Sequence, residues 1–69
     1  MLNEIQKLKE FAADVELLVS ERAEAIEALG ALKAKEAVLA LLDIAGNTRL
    51  LVSERTAALK QARKLLRSL

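Results

Sequence analysis

Seven charged side chains offer most of the binding chemistry in this sequence: Arg22, Glu27, Arg55, Lys60, Arg63, Lys64 and Arg67. Arg22 and Arg55 interrupt apolar stripes at equivalent places in two identical stretches. A guanidinium there can grip a carboxylate through two parallel hydrogen bonds. Alternatively its stem packs on apolar neighbours while the charged head reaches water, which is the favoured expectation. Lys60, Arg63, Lys64 and Arg67 are spaced i, i+3, i+4, i+7 and form one basic stripe on a helix. The simplest reading is a solvated face, followed by docking to an acidic protein surface, and last nucleic acid or an anionic membrane. Phe11 is the sole aromatic, so bases would have no stacking platform.

Catalysis finds little to work with. The chain has no Cys and no His, which removes thiolate and imidazole chemistry and the usual metal ligands. Ser20 and Ser53 have no His to activate them, and no Gly-rich phosphate loop is present. Glu21, Glu24 and Glu27 share roughly one helix face, where paired acids could move protons, but a solvated acidic face is the plainer reading. No catalytic, cofactor-binding or metal-binding residue is expected, and the chain reads as a non-enzyme.

The elements that place these residues repeat. "LLVSER" occurs at Leu17–Arg22 and again at Leu50–Arg55, a shift of 33. At the same shift Ile5 meets Val38, Leu8 meets Leu41, Phe11 meets Ile44, Ile26 meets Leu59 and Leu32 meets Leu65. Two copies of one unit follow, 1–33 and 34–69, within a single small domain. Ala, Leu, Glu, Lys and Arg dominate and Pro is absent, so every element is expected to be helical. The short stretch "KEAVLALLDIA" is apolar on almost every side and reads as a buried helix. Gly46 is expected to end it in a left-handed turn, with Asn47 or Thr48 opening the next. In the first copy Asp14 marks the matching break. A rival is one long helix from residue 2 to about 32, because Ile5, Leu8, Ala12, Val15, Val19, Arg22, Ile26 and Leu29 keep a 3-4 spacing across it. The expected helices are 2–13, 15–32, 35–45 and 48–68. On the last, Val52, Arg55, Leu59, Ala62 and Leu66 should line the packing seam. Within LLVSER, Leu and Val are expected to face that seam, and Ser and Glu to face water.

The stretch "ERAEAIEALGALKAKEAVLALLDIA" resembles the short HEAT-like repeats of bilin-lyase-type proteins. Ala28-Leu29-Gly30 closes one helix, Glu36-Ala37-Val38 opens the next, and Ala40-Leu41-Leu42 follows. The chain departs from the family at its turns, where Ala34-Lys35 stands in place of Asp-Pro, and at Ala62-Arg63, where Leu-Gly is expected. The resemblance implies two helical hairpins in a right-handed α-α arrangement and a scaffold that binds proteins or, in some members, nucleic acid.

Charge and hydropathy bound the rest. Residues 1–34 hold four bases against seven acids, a net of −3, and residues 35–69 hold seven against three, a net of +4. This dipole suits an antiparallel encounter of two chains. The longest uncharged apolar stretch, Ala37–Leu42, is far below the roughly 20 residues that span a bilayer, so no membrane role is expected and the cytoplasm is the expected compartment. Two units are fewer than the three or so a free-standing stack needs, so self-association is expected, as a homodimer. The function expected is a protein-interaction or assembly module, with a nucleic-acid-binding accessory protein as the alternative.

Overall fold

The computed structural model describes residues 2–69, and side chains from Asn3 onward. Met1, part of the first unit in the sequence reading, lies outside the described residues. The fold is all-α: helices α1 (Leu2–Ala13), α2 (Val19–Ala31), α3 (Lys35–Ala45) and α4 (Val52–Ser68), with no strand among the described residues. The chain breaks after Ala13, so the rival of one fused first helix is excluded.

Both long helices begin four residues later than expected, for the same reason. Asp14 and Asn47 do not cap a helix. Each accepts a hydrogen bond from the amide two residues on, Glu16 N and Arg49 N, both at 3.0 Å. These are Asx turns, which offer the backbone an alternative to helix. Leu17 N and Leu50 N then close onto the Asp14 and Asn47 carbonyls at 3.1 Å. Helix starts only after Leu18 and Leu51, whose backbones are extended with near-identical angles (φ −66°, ψ 150° and φ −65°, ψ 151°). A leucine side chain cannot accept from the helix amides. The third helical residue instead reaches back: Glu21 accepts from Leu18 N at 2.9 Å and Glu54 from Leu51 N at 3.0 Å. That is the glutamate half of a capping box.

Gly46 departs from the left-handed turn expected of it. Its φ of −87° and ψ of 0° are right-handed, and its amide bonds to the Leu42 carbonyl at 3.0 Å. The helix is stopped by the Asx turn at Asn47 rather than by an inverted glycine.

The helices form two hairpins, α1–α2 and α3–α4, laid side by side. α2 packs on α4, α1 on α3, and α2 also on α3, while α1 and α4 do not touch. Ile26, Leu29, Leu41 and Ile44 are fully buried at the centre. Alanines at the crossings (Ala12, Ala25, Ala37, Ala58, Ala62) are buried too, and their small side chains let the helices approach closely. Gly30 serves the same end between α2 and α4, since a Cβ there would lie 2.7 Å from Gln61 Cδ.

Two expectations about burial need correcting. α3 is not covered on almost every side: Leu39 and Leu42 are exposed. On α4 the buried row is Ala58, Ala62 and Leu65, whereas Val52, Leu59 and Leu66 face outward. A 3-4 apolar spacing identifies a wide stripe, and here α2 and α3 cover only one edge of it.

Candidate functional site

The most organised polar site joins the two hairpins. Arg22 lies in the first turn of α2 and Glu54 in the first turn of α4. Arg22 Nε donates to Glu54 Oε2 at 2.5 Å and Nη2 donates to Oε1 at 3.3 Å. Nη1 donates to the Leu17 carbonyl at 2.7 Å and to the Asp14 carbonyl at 3.2 Å, both in the turn before α2. One guanidinium thus holds its own unit's turn and the next unit's helix. The side chains are 8% and 3% exposed. This overturns the expectation that the Arg22 head reaches water and that Glu54 faces solvent. Hydrogen bonds from Arg22, and then from the Leu51 amide, hold the Glu54 carboxyl below its ordinary range although burial pushes the other way. The reciprocal bond raises Arg22.

Arg55 holds the equivalent place in the second unit but makes a different bond. Its Nε donates to the Ala45 carbonyl at 2.9 Å, and among the described residues no carboxylate pairs with it. Of the two arginines for which the sequence leaves a carboxylate grip open, Arg22 makes it within the chain and Arg55 does not. Glu21, the equivalent of Glu54, caps α2 from an exposed position and meets no arginine. Identical hexapeptides therefore occupy different environments. The difference arises because unit two has a neighbour on its α2-facing side and unit one has none there.

The remaining candidates are on the surface. Lys60, Arg63 and Arg67 are exposed and line a shallow depression with Thr56 and Leu59 on the outer side of α4. Lys64 is exposed as well. Glu27 and Lys60 border one groove between α2 and α4. Elsewhere Lys9 Nζ lies 2.9 Å from Asp43 Oδ2, an exposed pair of small energetic value. Among the described residues no group of three or more acids could hold a metal. Among the described residues no helix is long and apolar enough to cross a membrane. The chain matches no family model, no curated protein and no solved structure.

Sequence reasoning missed Glu54. The signal was present: if unit two stacks on unit one, the second LLVSER presents its Glu where the first presents its Arg.

Proposed function

We propose that this chain is a non-enzymatic protein-interaction and assembly module built from two HEAT-like units, whose partner is a second copy of itself. The observation that carries this reading is the outer side of α4. Val52, Leu59 and Leu66 stand exposed there, at 73%, 44% and 58%, beside the basic side chains Arg63 and Arg67. An apolar strip rimmed by charge is the composition of an interface. The HEAT-like resemblance over 21–45 supports the same reading, since such repeats bury their faces on neighbours. Light scattering at high micromolar concentration tests it: a mass above one chain is expected, and a stable monomer would refute self-association.

A second reading rests on the same depression, where Lys60, Arg63 and Arg67 could meet phosphates. Binding of duplex DNA that falls steeply with added salt would favour it.

A further inference from the structure

The junction inside the molecule shows what its two outer faces are built to meet. At that junction α2 presents Val19, Arg22, Ile26 and Gly30 to the Glu54, Ala57 and Gln61 side of α4. The 33-residue shift carries the first set onto Val52, Arg55, Leu59 and Arg63, which lie on the outward side of α4. It carries the second set back onto Glu21, Glu24 and Ala28, which the same helical geometry places on the outward side of α2. These faces are the opposite ends of the stack. Each end exposes the counterpart of a residue buried at the centre: Leu59 is 44% exposed where Ile26 is 1%, and Phe11 is 54% exposed where Ile44 is 1%.

We infer that a second copy of this chain stacks head to tail on the first, its α2 face against the outer face of α4, with Arg55 of one copy taking Glu21 of the next as Arg22 takes Glu54 within the chain. The inference rests on the self-assembly reading and adds its geometry. Two pairs of changes between the units fit it. At the inner junction Gly30 makes room for the long side chain of Gln61. At the outer one the sizes exchange, with the long Arg63 opposite the small Ala28. Glu27 and Ala57 line the inner groove, which Lys60 also borders, and the 33-residue shift carries Glu27 and Ala57 onto Lys60 and Glu24, a pair of opposite charge. The two hairpins also carry opposite net charge, −3 over residues 1–34 and +4 over 35–69, so unlike ends attract. A two-fold dimer made through either end face would set like ends together, basic on basic or acidic on acidic. Head-to-tail contact leaves one end open at every step, so growth continues beyond two chains unless a ring closes.

Single-end variants test this. Leu59→Asp blocks the α4 end and Glu24→Lys blocks the α2 end. Both positions are exposed, so each variant should melt as the wild type does, and Arg63→Glu replaces Leu59→Asp should the latter fail to fold. Under conditions where the wild type assembles, each variant alone should run as one chain in sedimentation velocity. Their equimolar mixture should form a complex of two chains and stop. A mixture that stays monomeric, or either variant forming a dimer by itself, overturns the head-to-tail arrangement while leaving self-assembly standing. A wild type that is monomeric throughout, its faces kept for another protein or a further unit of a longer chain, overturns both.

Discussion

Arg22 and Glu54 form a buried, doubly hydrogen-bonded ion pair that fastens one helical hairpin to the other. The glutamate also accepts from the amide of Leu51, the residue from which α4 starts. Stacking of the units and initiation of the second long helix thus share a single carboxylate.

Removing that carboxylate should cost stability twice, through the pair and through the helix start. An exposed pair is worth up to about 1 kcal/mol and breaking a fully buried one costs about 3–5 kcal/mol. In a chain this short solvent lies close on every side, so Glu54→Ala should destabilise by about 2 kcal/mol in urea denaturation. Glu21→Ala, which loses the same helix contact but no ion pair, should cost under about 1 kcal/mol. Equal losses at the two sites would show that the pair contributes nothing.

Acid should act through the same residue. The Glu54 carboxyl sits below its ordinary value of 4.5 in the folded chain. Its contribution is therefore complete above about that pH and fades as pH falls through the lower folded value. The raised Arg22 stays charged throughout and adds no slope. The melting temperature should decline more steeply below pH 4.5 for the wild type than for Glu54→Gln. Parallel curves would contradict the assignment.

The core is small enough for one truncation to test it. Leu41 is fully buried on α3. Leu41→Ala should cost about 3 kcal/mol, against a net stability of about 3–5 kcal/mol for a core of this size. Leu41→Asp should leave the chain unfolded by circular dichroism. A cooperative melt near the wild-type temperature would mean that α3 is not the centre of the fold.

Gly30 and Gln61 should prove coupled. An alanine within a helix gains about 1 kcal/mol over glycine, but at Gly30 it must displace the Gln61 carboxamide. Because the Cβ of residue 61, 3.1 Å away, remains in Gln61→Ala, Gly30→Ala should gain less than about 1 kcal/mol in that variant, and should be clearly less favourable still in the wild type, where the carboxamide must also move. Additive effects in the double-mutant cycle would show no close packing.

The four helices were legible in the sequence because strong helix formers fill them, and the break after Ala13 because the second unit repeats it at Gly46-Asn47. The starts of α2 and α4 were misplaced because Asp14 and Asn47 can either cap a helix or close an Asx turn. Position in the chain does not separate the two. The environments of Arg22 and Glu54 were hidden for a different reason. Local sequence is the same at Glu21 and Glu54, and only the presence of a neighbouring hairpin distinguishes them. Leu18 and Val19 were expected in the seam and are exposed, Leu18 as the extended residue before α2 and Val19 at the margin of the α2–α4 groove. Lys60, Arg63, Lys64 and Arg67, read from the sequence as one basic stripe, are all exposed on α4.

The central claim is that both ends of this two-unit stack are made for further copies of the chain. Sedimentation velocity of the wild type across a concentration series, at low and at high salt, tests it most directly. The account predicts a weight-average mass that rises with concentration beyond two chains at low salt and returns toward one chain as salt screens the opposite charges. A mass of one chain at every concentration and salt would contradict it.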